Sequence, residues 1–155
     1  MKKLTLLTIA LVALFSAQLF AQGAYLELLK SDIKTEKKAI ITEAMQFTDD
    51  EAAIFWPVYR EYEFDLDKLN DQYFALIKDY ADNFETMTDA KAKEIWMGAQ
   101  KIRVQEEKLQ KKYFKKMDKV LPSATVAKFF QVNNLIENLI NLQISSSIPF
   151  VERMD

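Results

Sequence analysis

The stretch FWPVYREYEFDLDKLNDQYFALIKDY, residues 55–80, decides the fold. Phe55, Tyr59, Tyr62, Leu66, Leu69, Tyr73, Leu76 and Tyr80 recur at alternating steps of four and three. That is the period of a helix burying one stripe against a second helix. Just upstream, Thr48-Asp49-Asp50-Glu51 is a capping box: the Thr48 hydroxyl takes an unpaired backbone N–H of the first turn, and the Glu51 carboxylate reaches back to the cap. Three carboxylates in that turn also suit the positive end of the helix dipole. The helix is predicted from there to about Tyr80, bent at Pro57.

Working outward, a second long helix is predicted from Thr88-Asp89 to Leu121, ended by Pro122. Its stripe is Ala92, Ile95, Trp96, Ala99, Ile102, Leu109, Tyr113, Met117 and Val120. The link Ala81–Met87 is too short for anything but an antiparallel hairpin. Folding about residue 84 brings Tyr62 and Leu66 near Arg103 and Glu106. Arg103, Glu106 and Gln110 are expected to make a buried polar contact with Tyr62 and Asp65. Charge is consistent with this pairing. Residues 49–80 hold nine acids and three bases, and residues 88–121 hold ten bases and five acids. The alternative is two independent solvated faces.

Two further helices flank the hairpin. One covers about 25–45, by Leu26, Leu29, Ile33, Ile40 and Ala44, unless Ser31 caps a later start. The other runs from Ser123 to about Ser145. Its Val126, Phe129, Val132, Ile136, Leu139, Ile140 and Ile144 cover more than half the circumference, so it is expected to be sandwiched. The fold class is therefore all-α, four helices around a long antiparallel hairpin. Residues 22–145 form a single helical domain, and 146–155 an extended tail.

Composition agrees. Two glycines and three prolines in 155 residues leave little for the many turns of a β-sandwich. A net charge of −2 argues against a nucleic-acid binder. The N-terminus has the form of an export signal: Lys2 and Lys3, an apolar run from Leu4 to Phe15, and small Ala21 before the expected cleavage. Residues 1–21 are thus expected to be a signal peptide, placing the mature chain in the periplasm with no stable membrane anchor.

The chain contains no cysteine and no histidine. Disulfides, thiolate metal sites, Ser–His and Cys–His nucleophiles and Glu-x-x-His di-iron sites are thereby excluded. Ser31-Asp32-Ile33-Lys34 matches S-x-x-K but lacks the accompanying elements of those enzymes. Gly23 and Gly98 stand alone, so there is no phosphate loop. Asp67 and Asp71 lie at helical spacing, where a solvated face is favoured over a metal site. No catalytic residue, cofactor or metal is expected.

What remains is surface character. With the 55–80 seam as zero, Trp56 and Phe74 lie about 100° away and Phe64 about 180° away. On the second helix Met97 and Val104 fall off the seam, interleaved with Lys101, Lys108, Lys111 and Lys115. Either the flanking helices cover these apolar residues, or they form an apolar, lysine-ringed face suited to weak, sequence-tolerant capture of non-native chains.

Phe47-Thr48-Asp49-Asp50-Glu51 and Leu121-Pro122-Ser123-Ala124-Thr125 open two of the helices. With these, residues 47–135 resemble the Spy/CpxP family of small periplasmic proteins, whose signature is LTxxQ. Here Phe47 stands for Leu, Glu51 for Gln, and Pro122 for Thr. The resemblance implies four helices around a long hairpin, frequently a homodimer, and ATP-independent chaperone or envelope-stress adaptor activity. The run Phe55-Trp56-Pro57-Val58-Tyr59, with Phe129-Phe130-Gln131-Val132 and Ile148-Pro149, is also similar to uncharacterised exported proteins. The client-binding residues expected are Phe64, Met97, Lys101, Val104, Lys108, Trp56 and Phe74, with Thr48, Glu51 and Leu121 as motif residues. The alternative is a structural or regulatory partner of one envelope protein, docking through the fourth helix or the Ile148-Pro149-Phe150 tail.

Overall fold

The computed structural model describes residues 35–151, and among these every regular element is helical. The expected signal segment and the stretch 25–34 lie outside the described residues. The chain divides into two compact units between Glu43 and Ala44. Helix α1 is described over residues 35–45, and Gln46 ends it with a left-handed φ of 50°. The second unit holds α2 (Asp49–Asn83), a 3-10 turn (Phe84–Thr86), α3 (Asp89–Met117) and α4 (Ser123–Ser147).

The capping box forms as its sequence requires. Glu51 N donates to Thr48 Oγ1 at 3.3 Å, and Thr48 N donates to Glu51 Oε2 at 3.1 Å. Thr88 caps α3 in the same way, accepting from Lys91 N at 3.2 Å. α2 is continuous through Pro57 and spans about 50 Å at 1.5 Å per residue. α3 is shorter than its sequence suggests. It stops at Met117, and Asp118–Val120 form a turn that buries Leu121 and lets Pro122 open α4. Pro122 disfavours helix at its immediate predecessor Leu121, so it does not itself account for a stop at Met117.

The core is an aromatic hub where three helices meet. Phe129 of α4 packs edge-on against Phe55 and Tyr59 of α2, with ring centres at 4.9 and 5.9 Å. Tyr62 lies against Tyr113 of α3 at 5.4 Å and against Phe130 at 5.9 Å. Each such pair adds about 0.5–1.5 kcal/mol beyond simple burial.

The acidic and basic helices pair directly. Lys112 Nζ and Tyr113 Oη both donate to Asp65 Oδ2 at 2.9 Å. Lys91 reaches Asp79 at 2.9 Å, and Lys116 pairs with Glu61. Near the turn Leu76 lies over Gly98, where a Cβ would sit 3.0 Å from Leu76 Cδ1. The register differs from that expected. The 3-10 turn shifts the hairpin centre past residue 84, so Asp65 meets Lys112 and Tyr113 in place of the anticipated Arg103, which is exposed. Tyr62 and Leu66 nevertheless line one cleft with Arg103, Glu106 and Gln110.

Three other expectations need correction. Trp96 and Val120, assigned to the α3 seam, are exposed. α4 does not bury its whole apolar stripe: Val126, Phe129, Phe130 and Ile136 are buried, while Leu139 faces solvent. The helix also extends to Ser147, and the chain beyond it is held by a 2.7 Å hydrogen bond from Tyr80 Oη to Pro149 O.

Candidate functional site

α3 carries two populations of lysine. Lys91, Lys112 and Lys116 turn to α2 and are neutralised by Asp79, Asp65 and Glu61. Lys101, Lys108 and Lys115 are exposed and make no ion pair among the described residues. The α2 carboxylates nearest the hairpin are committed to the first population. Asp65 is the extreme case: hydrogen bonds from Lys112, then Lys68 and Tyr113, hold its carboxyl well below the usual carboxylate range.

The free lysines stand on an apolar track. Met97, Lys101, Val104, Lys108, Lys111 and Lys115 follow one another at steps of four and three. They therefore form a single stripe along the outside of α3. Met97 is 58% exposed and Val104 49%, and neighbouring Trp96 is 62% exposed. Of the residues singled out in the sequence, the structure thus brings together Met97, Lys101, Val104 and Lys108.

Phe64 belongs to a different place. It is 65% exposed, lies under Lys68 Nζ at 4.1 Å, and shares a shallow depression with Pro57, Arg60 and Lys112. Trp56 is half-buried, set edge-on against Phe55 and Tyr59 at 5.1 and 5.4 Å, so it extends the aromatic hub. Phe74 is half-buried beside Tyr73. The seven expected client-binding residues therefore fall into the α3 stripe, the Phe64 depression and two partly covered rings.

Thr48, Glu51 and Leu121 do structural work. Leu121 is buried, and Thr125 at the start of α4 lies 3.5 Å from Glu51 Oε1. The two motif-bearing segments, 47–51 and 121–125, thus meet at one end of the helical bundle.

Sequence reasoning missed Trp96 and a stripe on α4. Leu135, Leu139 and Leu142 are 62, 60 and 67% exposed and lie at steps of four and three. The spacing was legible, but α4 is apolar around most of its circumference, so no single face declared itself. Trp96 was hidden by its neighbour Ile95, which fits the seam equally well. No described helix is long and apolar enough to cross a membrane.

No known family model, curated protein or solved structure matches this chain.

Proposed function

We propose that the protein is an exported, non-catalytic binding protein that holds partly unfolded polypeptide on the outer face of α3 without nucleotide. One observation carries this reading: exposed Trp96, Met97 and Val104 lie among Lys101, Lys108 and Lys115, which have no ion pairs among the described residues. Apolar side chains give non-directional adhesion to any exposed hydrophobic segment. Unpaired lysines speed encounter with acidic chains and leave no fixed hydrogen-bond pattern to select one sequence. The resemblance to the Spy/CpxP family, with its ATP-independent chaperones, points the same way. The signal-like form of residues 1–21 supports a periplasmic location for this activity, and N-terminal sequencing of the periplasmic protein should find Gln22 first.

The test is suppression of aggregation of an unfolding model protein at near-stoichiometric ratio without ATP. Combined Met97→Ser and Val104→Ser should weaken protection severalfold with little change in melting temperature, because exposed side chains carry little stability. Lys101→Glu with Lys108→Glu should slow capture, most strongly at low salt. Phe64→Ser, in its separate depression, should matter less. A parent protein that gives no protection overturns the proposal.

The second reading, a dedicated partner of one envelope protein, is favoured by the exposed Leu135, Leu139 and Leu142. It predicts that serine at those leucines abolishes one specific complex while leaving general protection untouched.

A further inference from the structure

All the sulfur of this chain is in methionine, since it has no cysteine. Of its six methionines, Met1 and Met154 lie outside the described residues. Met45, Met87 and Met117 are buried, at 6, 8 and 0% exposure. Met97 stands apart at 58%, on the outside of α3. The three buried thioethers are packing residues, flexible apolar side chains that fill irregular gaps. Packing gives no such reason for Met97.

Its surroundings are those of the proposed binding face. Trp96, Met97 and Val104 are the exposed large apolar side chains of α3, so Met97 is one of three that hold a client there. Lys93 and Lys101 lie four residues before and after it, and both are exposed. Residues at that spacing are neighbours on a helix surface. An unbranched thioether adapts its shape to varied partners, which suits a face without sequence preference. Leucine would adhere as well, but leucine cannot be oxidised in this way.

The chemistry is a two-electron oxygen transfer. The Met97 sulfur lone pair attacks one peroxide oxygen. The O–O bond breaks as the S–O bond forms, and the second oxygen takes the proton of the first and leaves as water. The sulfur is oxidised and the peroxide reduced. The product is a sulfoxide, polar and chiral where the side chain was apolar. Its oxygen is a strong acceptor within one turn of the Lys93 and Lys101 ammonium groups. Oxidation therefore removes an apolar contact and draws toward itself lysines that would otherwise face a client. A reductase reverses the step with two thiols, which leave as a disulfide while the oxygen leaves as water. The buried methionines react only when the fold opens locally, so Met97 is oxidised in an intact protein.

We propose that Met97 is an oxidation site, and that its conversion to sulfoxide by hydrogen peroxide or another two-electron oxygen donor turns the outer α3 face off. The switch rests on the polypeptide-binding reading of that face.

The test uses the full mature chain with Met154→Leu in every arm, treated with hydrogen peroxide. Peptide mass spectrometry should find Met97 gaining one oxygen at least about tenfold faster than Met45, Met87 or Met117. At full Met97 oxidation, the concentration needed to suppress aggregation of an unfolding model protein should rise at least about threefold. The melting temperature should hold, and methionine sulfoxide reductase with dithiothreitol should restore protection. Met97→Leu should protect equally before and after peroxide, whatever its own level. Met97→Gln should be as weak untreated as the oxidised parent. Oxidation of Met97 no faster than of the buried methionines overturns the site. Undiminished protection by the Met97 sulfoxide overturns the switch while leaving the binding face standing. Loss of protection in oxidised Met97→Leu overturns it too, because another residue is then responsible. An untreated parent that gives no protection overturns the binding reading and the switch together, and the oxidation rates tell that failure from the others.

Discussion

Asp65 shows how one side chain sets the hairpin register. It takes Lys112, Tyr113 and Lys68 at once, and nothing in its own neighbourhood of sequence distinguishes it from Asp67 or Asp71. Its lowered pKa fixes the sign of its pH dependence. A carboxylate held below its unfolded value stabilises fully above that value, and the contribution is lost as pH falls toward the folded one. Asp65→Asn should therefore cost about 1–2 kcal/mol at pH 7. The gap between variant and parent should narrow at pH 3, below the ordinary aspartate pKa of about 3.9. Urea unfolding at the two pH values checks this, and a gap that widened in acid would show that Asp65 is not the anchor. Thr48 and Glu51 are the opposite case. Their hydrogen bonds close within three residues, so the sequence alone specifies them.

At the level of elements, legibility follows how many partners a helix has. The α2 seam was legible where α4 and α3 both cover it: Phe55, Tyr59, Tyr62 and Leu66 are buried. Farther along, Tyr73, Leu76 and Tyr80 keep the same period but are only half-buried, as are Ile140 and Ile144 in the later part of α4. Periodicity states which residues share a face and is silent on what lies opposite. The same silence hid the α4 leucines and the exposure of Trp96. Gly98 marks a close approach of the Leu76 side chain to α3, and its role is invisible in sequence because glycine also breaks helices. Alanine there gains about 1 kcal/mol of helix propensity but presses on Leu76, so the two effects oppose each other. Valine adds branching to the same contact. Gly98→Val should destabilise by about 1–3 kcal/mol, read from denaturant midpoints. A neutral result would mean that α3 separates from Leu76 without loss.

For the second unit as a whole, two kinds of interaction hold the helices, and they differ in reach. The ion pairs between α2 and α3 are mostly half-exposed, each worth about 0–1 kcal/mol, and they choose partner and register more than they stabilise. The aromatic hub works on all three helices together, since Phe129 touches Phe55, Tyr59, Tyr62 and Phe130, and Tyr62 and Phe130 in turn touch Tyr113 and Phe114 of α3. Phe129 is fully buried, so Phe129→Ala removes that hub and leaves a cavity, at a cost of about 3–5 kcal/mol. Total stability of a domain this size is about 5–15 kcal/mol, so the loss is a large share of it. Because the same ring touches α2 and its own helix, the hairpin and α4 should loosen together. Thermal unfolding followed by far-ultraviolet and aromatic circular dichroism should give coincident, lowered transitions. Salt at 1 M should move the parent far less, since it screens only the exposed pairs. Two separated transitions in the variant would show instead that α4 docks as an independent element and that the α2–α3 hairpin stands without it.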